Sequence, residues 1–160
     1  MTDSSKTSNF NLSENTAMPS AVDLLPYLMN RLTSKINQLW LKELRPYGLT
    51  ISRWQVLSIL TVMDGCRVGE LAEMAGAEQA VISRVVDQMQ RDGLVQRKPA
   101  QADSRAIEVW ISSKGRKLFQ QLLPQAASHV DRLVSSLPEG EASQLANGLE
   151  RMLEDISGPE

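Results

Sequence analysis

Residues 78–115 read EQAVISRVVDQMQRDGLVQRKPAQADSRAIEVWISSKG, and within this stretch the apolar period changes once. Ile82, Val85, Val86 and Met89 recur at three- and four-residue steps, the spacing of one helical face. Asp92-Gly93 stops that helix, because glycine suits the left-handed conformation that follows a last turn. Beyond it the period becomes two. Leu94 to Lys98 reads as a strand, and Ile107, Val109 and Ile111 alternate with Glu108 and Trp110 in a second. Pro99 to Ser104 is then a polar hairpin tip.

The segments on either side complete the pattern. A short helix from about Val68 to Met74 turns Leu71 and Ala72 inward, and Gly76 supplies the turn before the next. Upstream, Thr50 or Ser52 caps a helix whose Trp54, Leu57, Ile59 and Leu60 face a core, and Asp64-Gly65 breaks it. Leu24, Leu25, Leu28, Leu32, Ile36, Leu39 and Trp40 form one stripe on a leading helix that begins near Ser20 and ends by Pro46-Tyr47-Gly48. After the second strand, Ser112 or Ser113 caps a helix carrying Leu118, Leu122, Leu123, Ala126, Val130, Leu133 and Leu137. Pro124 lies inside it and should bend it, an interior proline costing about 3 kcal/mol. Leu145, Leu149, Met152, Leu153 and Ile156 mark a last amphipathic helix. The expected fold is mainly α with a small β-hairpin wing: a winged helix-turn-helix at about 50–112 between helical arms at about 20–46 and 113–157. Residues 1–19, rich in Ser, Thr and Asn, are expected to be a flexible tail.

Composition bounds the function. The chain has 160 residues, 42% hydrophobic and 22% charged, with a net charge of −2, so histone-like binding to nucleic acid is not a whole-chain property. One cysteine (Cys66) and one histidine (His129) cannot make a disulfide or a Cys/His metal site within one protomer, and no cofactor is expected. No apolar run approaches the ~20 residues that cross a bilayer. The first residues lack the apolar centre of a secretory signal, so a cytoplasmic location is expected, without a membrane partner. There is no phosphate-cradling glycine loop, no GxSxG and no HExxH, and an enzyme is not expected.

Charge is unevenly spread. Residues 97–117 hold six basic side chains (Arg97, Lys98, Arg105, Lys114, Arg116, Lys117) and two acidic ones (Asp103, Glu108), a local +4 that leaves −6 for the other 139 residues. A basic segment beside a polar helix face is what phosphate contact needs, since affinity for duplex DNA comes largely from counterion release. The face of residues 78–91 that is not core presents Gln79, Ala80, Ser83, Arg84, Asp87 and Gln88, with no large apolar residue. Gln and Arg can each pair with base edges in the major groove.

The run Asp103-Ser104-Arg105-Ala106-Ile107-Glu108-Val109-Trp110-Ile111-Ser112-Ser113-Lys114-Gly115 resembles the wing signature of the MarR (multiple antibiotic resistance regulator) family, D-x-R-x-x-x-V-x-L-T-x-x-G, with Ile111 and Ser112 where Leu and Thr are usual. Leu71-Ala72, the stretch Gln88 to Val95, Gly48-Leu49-Thr50 and Trp54 to Leu57 are similar to other parts of that family's pattern, over roughly residues 20–157. The resemblance implies a regulator of transcription, most often a repressor. It implies that Arg105 enters the minor groove while Asp103 braces the tip, which fits the negative potential of a narrow groove. It makes 78–91 the recognition helix, so Gln79, Ser83, Arg84 and Gln88 are expected to touch bases, and Arg97 and Lys98 phosphates.

Such proteins are homodimers. Leu24, Leu28, Leu133, Leu137, Leu149 and Leu153 are the expected interface, since terminal arms left uncovered usually mark one. Two recognition helices then face grooves about 34–36 Å apart, and the DNA target should be an imperfect palindrome. The resemblance also implies a small aromatic or lipophilic acid as effector, with Met29, Leu32, Ile36, Trp40, Arg53, Trp54 and His129 as candidate lining residues. Two other readings compete: a winged-helix protein–protein module, for which Trp110 on the non-core side of its strand could serve as anchor, and a redox-responsive regulator using Cys66.

Overall fold

Helix boundaries in this protein are set by identifiable side chains. The computed structural model describes residue 20, residues 22–100 and residues 106–158; the tail at 1–19 and the hairpin tip at 101–105 lie outside these. The chain divides into two units, Met1–Lys35 and Ile36–Glu160. The division falls inside the first helix rather than at the ends of the expected arm. In the first unit, the Ser20 hydroxyl and backbone N–H both donate to the Asp23 carboxylate at 2.7 Å. These bonds, the hydroxyl's foremost, hold the Asp23 carboxyl below its usual range. Helix α1 (Leu25–Leu44) begins just after, with Pro26 in its first turn, where a missing N–H is harmless.

In the second unit, a 3-10 turn (Arg45–Tyr47) follows α1 and closes on Gly48 in the left-handed region. Thr50 caps α2 (Ile51–Val62) by accepting the Arg53 backbone N–H. The turn Asp64-Gly65 leads into a strand that periodicity did not reveal, β1 (Cys66–Arg67), so Cys66 sits in a sheet and not in a loop. Glu70 accepts the Arg67 N–H at 2.6 Å and so starts α3 (Val68–Met74). Helix α4 (Gln79–Arg91) ends at Asp92 with Gly93 left-handed after it. Strands β2 (Val95–Pro99) and β3 (Ile107–Ile111) pair antiparallel with Arg97 opposite Val109 and Lys98 opposite Glu108. With β1 on the other side of β3, the wing is a three-stranded sheet of order β1-β3-β2.

Ser112 caps α5 (Ser113–Val134), which runs unbroken through Pro124 and stops short of Leu137; Gly140 precedes α6 (Glu141–Ser157). The core joins Leu44, Val56, Leu57 and Leu60 with Leu71, Ile82, Val86, Met89, Val95, Val109 and Leu122, all closed to solvent. Only Leu122, Ala126 and Leu118 of the stripe expected on α5 share in it. Leu123, Val130 and Leu133 are exposed, and the buried seam instead continues through Phe119 and His129. The spacing of 119, 122, 126 and 129 is itself helical, but it carries one aromatic and one histidine where the other face has leucines.

The wing is fixed at its root. The Asp64 carboxylate accepts the Ile111 N–H at 2.8 Å and pairs with Arg116 at 3.0 Å, tying the α2–β1 turn to the start of α5. The Ser112 hydroxyl donates to the Gly93 carbonyl at 2.6 Å, and its backbone N–H to that of Leu94 at 3.0 Å. Gly115 lies so close to Leu94 that a Cβ would stand 2.2 Å from the carbonyl oxygen. No helix among the described residues is long and apolar enough to cross a membrane.

Candidate nucleic-acid interface

Helix α4 divides cleanly by exposure. Ile82, Val86 and Met89 are wholly buried and Val85 half-buried, as their spacing requires. Gln79, Ala80, Arg84, Asp87 and Gln88 are exposed, and Ser83 is half-buried. One expectation needs correcting: the outward face does carry a branched apolar residue, since Val81 is 41% exposed. Its position, one step before the buried Ile82, put it at the edge of the core stripe, where periodicity alone does not decide. An exposed methyl group there is suited to the 5-methyl of thymine.

The strands bring further groups beside α4, but not all of them free. Arg97 points from β2 to α4, where Nη1 pairs with the Asp87 carboxylate and donates to Gln90 Oε1 at 3.2 Å. Its charge is opposed by a carboxylate, as that of Arg116 is by Asp64. Lys114 donates to the Asp92 carbonyl at 2.8 Å. The local +4 therefore overstates the charge left for a partner. Lys98 is exposed on the outer face of the sheet, with Nζ 5.0 Å from the centroid of the Trp110 ring. Asp103 and Arg105 lie outside the described residues.

Of the residues expected to line an effector site, Trp40, Trp54 and His129 come together. Trp40 meets Trp54 edge-on at 5.2 Å and stacks on His129 at 5.2 Å, and Trp54 stacks on Phe119 at 4.8 Å. Phe119 was not foreseen. His129 is buried, and its Nε2 has no hydrogen-bond partner among the described residues. Arg53, next to Trp54, is anchored at both ends of its fork: Nη1 donates to the Gly48 carbonyl at 2.6 Å and Nη2 pairs with Asp92. Its buried Nε alone is unpartnered. Ile36 is half-buried, while Met29 and Leu32 belong to the other unit and are exposed.

The residues expected between protomers are mostly uncovered. Leu24, Leu28, Leu133 and Leu153 are exposed, and Leu137 and Leu149 half-buried. Leu145, Met152 and Ile156 extend the exposed apolar face of α6. The two competing readings find less support. Trp110 is half-buried over Gly65 and is no free anchor. Cys66 is buried and donates its S–H to the Met63 carbonyl. Burial first, and then the carboxylates of Glu70, Asp64 and Glu108, push its thiol upward, away from reactivity.

Known proteins resemble the chain along most of its length. A family model described as the MarR family matches residues 47–106. The HTH-type transcriptional repressor IacR of Pseudomonas putida is 25% identical over 130 residues, which cover 81% of this chain and 78% of that protein. The crystal structure of a MarR-family transcriptional regulator from Silicibacter pomeroyi superposes with a TM-score of 0.76 at 30% identity, covering 89% of this chain and 99% of the other. BpsR of Bordetella bronchiseptica, whose DNA binding is described as regulated by 6-hydroxynicotinic acid, shares the fold with a TM-score of 0.76 at 18% identity, over 86% of this chain and 99% of that one.

Proposed function

Because the chain belongs to the MarR family of transcriptional regulators, we propose that it acts in the cytoplasm as a homodimeric repressor that binds a pseudo-palindromic operator and is released by a small aromatic or lipophilic acid. One observation carries the DNA reading: α4 buries Ile82, Val86 and Met89 completely while holding Gln79, Arg84 and Gln88 in solvent beside a basic wing. In this reading those three side chains and Ser83 meet base edges, Val81 packs on a thymine methyl, and Lys98 meets a phosphate. Arg97 braces the wing against α4 through Asp87. Arg105 enters the adjacent minor groove, with Asp103 as its brace.

Support for the effector is of a different kind. A cluster of four aromatic rings containing a buried, unpartnered imidazole nitrogen offers a planar acid both stacking surface and a polar contact, and a fold neighbour is regulated by 6-hydroxynicotinic acid. To move a population from 99:1 to 1:99, such an acid must favour the non-binding state by about 5.5 kcal/mol. The test is a gel shift on the DNA upstream of the protein's own gene, repeated across salt concentrations and with candidate aromatic acids. Retarded bands that weaken steeply with salt, and dissolve on adding an acid, are the expected result. Absence of any shift at low ionic strength defeats the DNA reading; a shift that no aromatic acid alters defeats the effector.

A further inference from the structure

Gln96, Lys98, Glu108 and Trp110 share the outer face of the wing sheet, because Gln96 lies opposite Trp110 and Lys98 opposite Glu108 in the β2–β3 ladder. On that face Trp110 is a bulky aromatic side chain where a solvated strand needs none. Its indole reaches toward the β1 side and covers Gly65, where a Cβ would stand 2.6 Å from ring atom Cζ2. Gly65 also has φ of 83°, so two independent constraints keep that position open for the ring. The indole Nε1–H donates to the Glu108 carboxylate at 3.2 Å, which fixes the ring's rotation. Over the ring stands the Lys98 ammonium, 5.0 Å from its centroid.

This differs in one respect from the way the wing's arginine is held. Arg97 is opposed by a carboxylate, whereas no carboxylate among the described residues lies within ion-pair distance of Lys98. An aromatic face attracts a cation without cancelling its charge. A lysine held in this way is biased toward one place before any partner arrives, and among the described residues its charge is not taken up in an ion pair, the Glu108 carboxylate opposite it being bonded to the indole. We propose that Trp110 is a positioning residue for DNA binding: its indole, seated on Gly65 and steered by Glu108, holds the Lys98 ammonium at the wing for a backbone phosphate. The proposal rests on the DNA reading above, and what it adds is that Trp110 affects binding through Lys98.

The experiment is a double-mutant cycle with full-length protein and mixed-sequence duplex DNA at low ionic strength, where phosphate contacts dominate. Trp110→Leu is measured in the native background and in Lys98→Gln, with thermal unfolding recorded for each. Trp110→Leu should weaken binding about two- to fivefold when Lys98 is present, the range of an exposed cation–π contact, and leave it unchanged when Lys98 is absent. Trp110→Phe, which keeps a ring face, should restore most of the loss. Should the leucine variant melt early, Trp110→Met, flexible and without a π face, takes its place against Trp110→Phe. Equal losses in both backgrounds would make Trp110 a prop for the wing and overturn the proposal, as would no loss in either. If the native protein itself ignored duplex DNA, the DNA reading would fall first; if it bound and only the cycle were additive, the role of Trp110 alone would fall.

Discussion

Two neighbouring cations on β2 face different partners, and this decides what each can give to DNA. Arg97 is already neutralised by Asp87, while Lys98 keeps its charge over an indole. Lys98→Gln should lower the slope of log affinity against log salt by about 0.9, the release of one phosphate's counterion. Arg97→Gln should leave that slope nearly intact and reduce affinity only through a loosened wing. Salt titrations of both variants on one duplex separate the two roles. Nothing in the sequence distinguishes these adjacent residues except the alternation of the strand, which sends Arg97 to the core side and Lys98 outward; the acidic partner waiting on α4 is a tertiary fact. Cys66 behaves in the opposite manner to a sensor. Its thiol, raised by burial and by three carboxylates, should resist an aromatic disulfide reagent in the native protein and react promptly once unfolded. Cys66→Ser should leave DNA binding and its response to oxidant unchanged, as gel shifts with and without peroxide would reveal.

The elements differ in how much their own residues say about them. Helix α3 and the end of α4 are readable because capping and turn chemistry is local: Gly76, Asp92 and Gly93 act on their immediate neighbours. Strand β1 is not, since two residues cannot display an alternation, and Cys66 and Arg67 become a strand only because β3 offers them partners. Helix α5 misleads for another reason. Its leucines are split between two faces: Leu123 and Leu133 are uncovered, while the seam against the core is made by Phe119, Leu122, Ala126 and His129, two of them outside the aliphatic code. Gly115 is the tightest joint in this element. Gly115→Ala would drive a methyl group into the Leu94 carbonyl, at 2.2 Å, so the start of α5 would have to move. A loss of about 3 kcal/mol is expected, at the upper end of overpacking effects, and a chemical denaturation curve measures it.

At the scale of the molecule, exposed apolar surface is the dominant feature. Leu145, Met152, Leu153 and Ile156 of α6 stand in solvent together with Val130 and Leu133 of α5, and, in the other unit, so do Leu24, Leu28 and Leu32. Faces of this kind are read easily from sequence as stripes, but sequence does not say whether a stripe closes on its own chain or on another. Leu153→Glu would place a carboxylate in the proposed pairing surface while leaving the single chain's core untouched. Dimer dissociation should become more favourable by about 3 kcal/mol, a rise of roughly a hundredfold in the dissociation constant, measurable by sedimentation. On the proposed pseudo-palindromic operator, binding should fall in step, since a lone protomer loses the second groove.

The guanidinium of Arg53 has a mechanical consequence. It is clasped at one end by Asp92, the residue that caps the C-terminus of α4, and its neighbour in the chain is Trp54, a member of the aromatic stack. Asp92 in turn is held through its carbonyl by Lys114 from the base of the long helix α5, and Phe119, a turn further along, lies against Trp54. That indole is therefore joined to the C-terminal end of α4 by contacts from two sides, one through Arg53 and one through α5. Under the proposed function, an acid lodged among the rings would act on the nucleic acid from a distance, by way of the Arg53–Asp92 clasp.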